Sequence, residues 1–375
     1  MSQKIYITDK FECGNIEVES IENTTAKLNI RKDYGTNTFQ WFYFRASGVK
    51  NLSMNYELLN AGKSSYPDGW ENYKTYASYD RQNWFRVNTS FDGKSLKIEH
   101  KPEYNVVYYA YHPPYTYERT LNHISQAQQK DNCKLETIGH TYEGRALDML
   151  TIGNVTSSKK KIWVIARQHP GESMASWFIE GMLDRLLDKS DPVSRMILKK
   201  SVFYVVPNVN IDGTIAGNLR MSLSGENLNR AWENPDKEKT PEIYYIRKKM
   251  DQLGLDLNLD VHGDEGLPYN FVAGAEENPN YPEKVALAQE KFIKNWMDAS
   301  PDFQDTHKYP IEKHKEHPLR ICTNQITHRF STLSLTIEMP FKDNADLPDA
   351  KHGWSGERSM KLGKSVLFPV LQFLK

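Results

Sequence analysis

Lys161–Leu183 reads KIWVIARQHPGESMASWFIEGML, and three kinds of segment meet in it. Ile162–Ala166 is an apolar run long enough for a buried strand and too short for a helix. Arg167-Gln168-His169-Pro170-Gly171 is a polar turn. From Glu172 onward Met174, Trp177, Phe178, Gly181 and Met182 recur at three-to-four spacing, which predicts a helix. A turn between a strand and a helix lies at the strand's carboxyl end, where ligand sites form in open α/β sheets. His169 and Glu172 stand there three residues apart. One offers nitrogen and the other oxygen, a donor mixture suited to zinc.

The pair alone is weak. His-x-x-Glu occurs four times, at His100/Glu103, His140/Glu143, His169/Glu172 and His262/Glu265, and in a chain with 11 His such pairs also arise by chance as solvated loop residues. Context separates them. His169 and His262 each follow an apolar, strand-like run, whereas His100 ends a polar strand and His140 sits beside a Gly-containing turn.

Around this stretch, segments from about residue 116 to the C-terminus alternate between strand and helix patterns. Leu135–His140 and Ala146–Ile152 read as a strand pair, and Val202–Pro207 and Leu333–Ile337 as buried strands. Leu255–Val261 alternates apolar and polar residues. Helices are predicted over Tyr117–Gln129, Pro192–Lys199, Pro241–Leu253, Glu283–Asp298 and from Ser359. Such alternation implies an α/β fold with a largely parallel sheet covered on both faces. Before residue 116 the pattern changes to short aromatic or alternating runs: Phe39–Ala46, Leu52–Leu59, Trp84–Asn88, Leu96–His100 and Val106–Tyr111. Turn residues separate them, which predicts an antiparallel β-sandwich. His112-Pro113-Pro114 permits neither strand nor helix to continue. The boundary is therefore set at 1–115 and 116–375. Trp41, Tyr43 and Phe44 read as packing residues before they read as a ligand platform.

Composition excludes several classes. Lys+Arg and Asp+Glu balance at 48 each, so no basic excess exists to neutralise nucleic-acid phosphates. No apolar run reaches a membrane span, and the first residues carry no signal-peptide pattern. The three cysteines, Cys13, Cys133 and Cys322, are sparse and odd in number, which reads as reduced thiols in a cytoplasmic protein.

A catalytic zinc takes three protein ligands and leaves one position open. His169, Glu172 and His262 supply such a set, one zinc per chain. A further carboxylate is then needed to move protons, and Glu338 follows the apolar run Leu333–Ile337. Taken alone, a structural histidine accounts for His262 and a strand-end salt bridge for Glu338. Their conjunction at strand ends favours chemistry. Residues 207–232, PNVNIDGTIAGNLRMSLSGENLNRAW, are rich in Asn and Gly and carry Arg220 and Arg230. A loop this long in a compact unit is functional or disordered. One arginine beside an Asn suits a carboxylate, and a second near a metal suits an oxyanion.

With these residues in place the chain resembles the zinc carboxypeptidases, and within them the cytosolic carboxypeptidase subfamily in its bacterial type. The resembling motifs are HPGES (His169–Ser173), PNVNIDG with GNLR (Gly217–Arg220) and ENLNRAW (Glu226–Trp232), DVHGDE (Asp260–Glu265) and LTIEMPF (Leu335–Phe341). NTFQWFYFRA (Asn37–Ala46) and HPPYTYER (His112–Arg119) are similar to that subfamily's N-terminal sandwich and junction. The resemblance implies zinc on His169, Glu172 and His262, Glu338 as general base and acid, and Arg220 at the oxyanion. It also implies that Asn229 and Arg230 hold the terminal carboxylate. The family's Asn-Pro-Asp-Gly is Asn210-Ile211-Asp212-Gly213 here, a change expected to affect turn rigidity. No motif places the tyrosine that lines the site in the digestive members.

The expected function is removal of C-terminal residues from peptides or protein tails, with neither nucleic acid nor membrane as partner. The alternatives are an N-acyl amino acid deacylase on the related fold, or a silent peptide-binding module. The subfamily implies a preference for C-terminal glutamate, which requires a cation in the pocket. Lys315, Arg320, His328 and Arg329 are the candidates, with Arg320 and Arg329 favoured.

Overall fold

Short strands before residue 111 build two five-stranded sheets in the computed structural model, which describes residues 4–279, 281–311 and 316–375. One sheet runs Tyr6–Thr8, Tyr43–Ser47, Val106–Ala110, Tyr76–Ser78, Trp84–Arg86. The other runs Glu17–Glu22, Thr25–Asn29, Met54–Leu58, Leu96–His100, Asn88–Phe91. Neighbours are antiparallel, except that Thr25–Asn29 and Met54–Leu58 pair in parallel. Alternation sets the faces: Met54, Tyr56 and Leu58 are buried while Asn55 and Glu57 are half-buried. The strand expected from Phe39 begins only at Tyr43. Before it, the Phe39 amide donates to Ser65 Oγ and the Gln40 side chain bonds the Tyr66 backbone, so neither joins a ladder. Trp41, Tyr43 and Phe44 are buried, as packing requires.

The larger sheet has seven strands in the order Cys133–His140, Ala146–Ile152, Ser201–Val206, Lys160–Ala166, Leu257–Val261, Leu333–Glu338, Phe271–Ala273. The four from Ser201–Val206 to Leu333–Glu338 are mutually parallel. The outer pairings are antiparallel, so the sheet is mixed. Ile162 and Val164 pack on one face and Trp163 and Ile165 on the other, so Lys160–Ala166 is covered on both sides. One cover consists of Ser173–Leu186, Glu283–Ala299 and Gly356–Ser365, and the other of Pro241–Leu253 and Cys322–Phe330. Ser173–Leu186 and Gly356–Ser365 approach backbone to backbone. A Cβ on Gly181 or Gly363 would lie 2.1 Å from the Met360 carbonyl oxygen or 2.0 Å from that of Phe178.

Several elements were not evident in the sequence. The Asn/Gly-rich stretch contains a short helix, Ile211–Ala216, with the Asn210 side chain accepting from the Gly213 amide at 3.2 Å. Ile211, where the family has proline, is buried at the first helical position. Cys322–Phe330 is helical, and the C-terminal helix is two, Gly356–Ser365 and Leu367–Phe373.

Candidate metal centre and active site

The parallel strands end together, and their ends carry the polar residues. Lys160–Ala166 passes into a turn through Arg167, whose φ of 66° is left-handed. That conformation is costly for a long side chain and must be imposed by its surroundings. Arg167 is buried, and its guanidinium donates to the Pro170 carbonyl at 2.7 Å, Ser176 Oγ at 3.0 Å and the Tyr115 carbonyl at 3.2 Å. The clamp fixes the turn that presents His169 and places Glu172 just ahead of the Ser173–Leu186 helix.

His262 arrives one residue beyond the Leu257–Val261 strand. Its Nδ1 lies 2.8 Å from Glu172 Oε2 and 3.2 Å from His169 Nδ1, and His169 Nδ1 lies 2.6 Å from Glu172 Oε1. All three side chains are buried, and their ligand atoms fall within 4.8 Å of one another. Two ring nitrogens face each other and one carboxylate, the donor set and convergence a zinc ion requires. The remaining nitrogens are held from behind. His262 Nε2 is 3.0 Å from Asp260 Oδ1, and Asp260 Oδ2 accepts from Gln168, whose Oε1 accepts from Trp232. His169 Nε2 lies 3.1 Å from Asn227 Oδ1. Such partners keep Nδ1 free for a metal and orient each ring. Burial, with Arg220 nearby, pushes His169 down to about 4, whereas at His262 burial is outweighed by Asp260 and Glu172, which raise it well above its ordinary range; ligation of a metal by His262 would release that proton. Glu172 lies below the usual carboxylate range, because the two histidines outweigh its burial. The residues present fit zinc.

Glu338 closes the Leu333–Glu338 strand on the same cavity, which has a volume of about 440 Å³. Its Oε2 is buried without a hydrogen-bond partner. Burial holds the carboxyl well above its ordinary range; His262 opposes this, and the carboxylates of Glu172, Asp264 and Glu265 reinforce it. A carboxyl poised to take and release a proton beside a metal set is what general acid–base chemistry needs. Arg220, Asn229 and Arg230 line the same cavity. The Arg220 guanidinium lies 5.7 Å from the Tyr66 ring centroid. Asn229 Oδ1 accepts from the Cys322 amide at 2.9 Å, leaving Nδ2 on the His262 side.

The cations expected for specificity are not gathered there. Arg329 is turned away, paired with Asp251 at 2.5 Å on the helix that also carries His328, because its position on Cys322–Phe330 faces the Pro241–Leu253 helix. Arg320 is exposed and not among the residues lining the cavity. Lys315 lies outside the described residues. Lys308 lines the wall instead, together with Glu276 and Glu277. Tyr66 and Tyr309 also line the cavity, and the Tyr309 hydroxyl donates to Asp264 Oδ2 at 2.5 Å. Neither belongs to a recognisable motif, and only the fold brings them to the site.

Comparison with known proteins gives the same picture. Residues 7–112 match the family model described as cytosolic carboxypeptidase N-terminal domain, and residues 117–340 match zinc carboxypeptidase. The metallo-carboxypeptidase from Burkholderia cenocepacia superposes with a TM-score of 0.97 at 45% identity, covering 99% of each chain. A metallo-carboxypeptidase from Pseudomonas aeruginosa, solved with (2-guanidinoethylmercapto)succinic acid, superposes at 0.93 with 37% identity, covering 99% of this chain and 100% of that one. Cytosolic carboxypeptidase 1 of Gallus gallus is 30% identical over 318 residues, 71% of this chain but only 26% of that longer protein. With the His169/Glu172/His262 cluster and the matched families coinciding, the chain belongs to the zinc carboxypeptidases, metal-dependent exopeptidases of the hydrolase class.

Proposed function

We propose that the protein removes single residues from the C-termini of peptides or protein tails, with one zinc ion held by His169, Glu172 and His262. The observation that carries this is the convergence in one cavity of that triad, Glu338, Arg220 and the Asn229-Arg230 pair. Bound there, zinc supplies Lewis acidity toward a carbonyl and a water. The chain's own groups do the rest. Arg230 and Asn229 Nδ2 bind the terminal carboxylate, and Arg220 donates to the oxygen that becomes negative. Glu338 takes the water's proton as the C–O bond forms and gives it to the leaving nitrogen as the C–N bond breaks. The products are a shortened peptide with a new carboxylate and a free amino acid. A pair of N-blocked peptides, identical except for a free or an amidated C-terminus, tests this reading. Only the free acid should release a residue; equal cleavage of the amide would exclude it. Hydrolysis of N-acyl aspartate or N-acyl glutamate in preference to both would support the deacylase reading.

The finer proposal is a preference for C-terminal glutamate. Lys308 on the cavity wall supports it, although that side chain also pairs with Asp305 at 2.8 Å. A second reading, a basic terminal residue, is favoured by Glu276 and Glu277 on the same wall and by the guanidino group of the ligand held by the P. aeruginosa relative. Peptides ending in Glu, Lys and Leu separate the two. Faster release of Glu supports the first, faster release of Lys the second, and equal rates for all three exclude both. We further propose two domains, a β-sandwich over 1–115 and a catalytic domain over 116–375, and a cytoplasmic setting. The buried free thiols of Cys13, Cys133 and Cys322 support the latter. Among the described residues no helix is long and apolar enough to cross a membrane.

A further inference from the structure

Arg220 reaches the cavity from a segment with little structure of its own. Its helix ends at Ala216, Gly217 is left-handed at φ 75°, and residues 218–221 run on without a ladder. The amides of Leu219, Arg220 and Met221 are all received by one side chain from the N-terminal region. Asp33, buried in a turn of the N-terminal region, accepts from Leu219 through Oδ1 at 2.7 Å, and through Oδ2 from Arg220 at 2.8 Å and Met221 at 2.9 Å. The Asp33 turn is itself fixed: its amide donates to the Thr38 carbonyl at 2.8 Å, and its carbonyl accepts from Thr36 at 3.2 Å.

The same region grips the residues just before. Asn15 Nδ2 donates to the Gly217 carbonyl at 2.8 Å, and the Cys13 amide donates to that of Ile215 at 3.0 Å. A Cβ on Gly217 would lie 2.6 Å from the Gly14 carbonyl oxygen, so the contact admits only glycine. Tyr66, from the same region, faces the guanidinium. On the catalytic side, the Leu219 carbonyl accepts from the Gly171 amide at 2.7 Å, one residue from the ligand Glu172. The segment is thus suspended between the metal turn and the N-terminal region.

We propose that Asp33 is a positioning residue for Arg220, so that the N-terminal region forms part of the active site. Three parallel N–H bonds to one carboxylate fix the backbone on both sides of Arg220, and with it the direction of the guanidinium. Charge-assisted bonds of this kind are stronger than neutral ones. A donor to a developing oxyanion acts only within a few tenths of an ångström of its place, so releasing this anchor lowers the chemical step rather than binding. The proposal rests on the reading of Arg220 as the oxyanion donor.

The test is kinetic and uses the zinc-loaded full chain. The substrate is an N-blocked dipeptide ending in the best-released residue. Asp33→Asn keeps the shape, removes the charge and turns one acceptor into a donor that faces an amide. Its kcat should fall by about 10²-fold, with KM within about threefold and one zinc retained. In an Arg220→Ala background the same change should add less than about twofold, because both act through one group. Wild-type kcat in Asp33→Asn would overturn the proposal, and so would a full additional loss in the double variant. If Arg220→Ala itself keeps kcat, the reading of Arg220 fails and the proposal with it. A large loss in Arg220→Ala with none in Asp33→Asn removes the proposal alone. Should Asp33→Asn not fold, Asp33→Glu keeps the charge one methylene further out. A kcat loss of at least about fivefold at unchanged KM then supports the proposal, and wild-type kcat overturns it.

Discussion

Glu338 and the proposed metal ligands share a cavity, but Glu338 and Glu172 carry opposite signatures. Two histidines outweigh burial at Glu172 and lower its pKa, whereas burial and three neighbouring carboxylates raise that of Glu338, one of whose oxygens has no partner. Replacing each should therefore fail differently. Glu338→Gln preserves size and is expected to keep zinc while kcat falls by about 10²–10⁴-fold, the usual reach of general acid–base catalysis. His262→Ala is expected to lose zinc and activity together, since two ligands seldom hold the metal. Metal analysis beside turnover decides between these. Zinc loss in Glu338→Gln would make that residue a ligand, and retained zinc with activity in His262→Ala would remove His262 from the set. These four positions could be singled out in the sequence because His262 and Glu338 each follow an apolar run directly, and His169 and Glu172 lie in the turn after another. Asp33 was not legible. Its partners lie 186 to 188 residues away, and an Asp beside Tyr34 and Gly35 reads as an ordinary turn. Arg329 misled for the converse reason: a cation near the site in sequence points the other way on a helix.

At the scale of elements, burial on both faces made the central strands readable, because each is a continuous apolar run. The Cys322–Phe330 helix hid, since Thr323, Asn324, Gln325 and Thr327 are all buried and erase its amphipathic stripe. Glu17–Glu22 hid as an exposed, charged edge strand. The Pro241–Leu253 helix was legible, yet its first turn holds an unexpected group. Glu242 is buried there, with Oε1 accepting from the Tyr142 amide at 3.0 Å and Oε2 unpartnered. A helix N-terminus favours a carboxylate. Burial wins, with Asp212 adding repulsion, and pushes Glu242 up to about 7 from 4.5. The folded state therefore holds its proton more tightly than the unfolded chain. Stability from this group is full below pH 4.5, is lost as pH rises through about 7, and then levels off. The loss is at most on the order of 3 kcal/mol. Glu242→Gln, which cannot ionise, should match wild type near pH 4.5 and gain on it steadily to pH 7. Denaturant melts at several pH values test this; a difference independent of pH would defeat it.

For the whole molecule the question is how far the two sheet systems stand apart. A break in composition near His112-Pro113-Pro114 suggests separable units, but the side chains bind them into one body. Tyr111 stacks on Phe341 with centroids 4.5 Å apart, two residues beyond the Met339 that follows Glu338. His112 is buried with its ring nitrogens 2.8 Å from Ser173 Oγ and 2.8 Å from the Trp354 carbonyl. Tyr76 donates to the carbonyls of Lys342 and Trp354, and Arg86 pairs with Asp343 at 3.0 Å. Apolar burial is continuous as well: one core cluster runs from Ile7 and Phe44 to Phe178, Trp296 and Leu335. Independent folding would require each part to expose its share of that core, and the polar partners named above would lose their hydrogen bonds. Buried polar groups left unpaired cost about 1–3 kcal/mol each, before the apolar area is counted. The chain should therefore unfold in a single transition, despite its length. Differential scanning calorimetry with and without a chelator checks this. One peak is expected in both, displaced to lower temperature without metal, because His169, Glu172 and His262, from two strand ends, come together only in the native state. Two resolved peaks, only one of them moved by the chelator, would show that the N-terminal region folds apart from the site it is argued to complete.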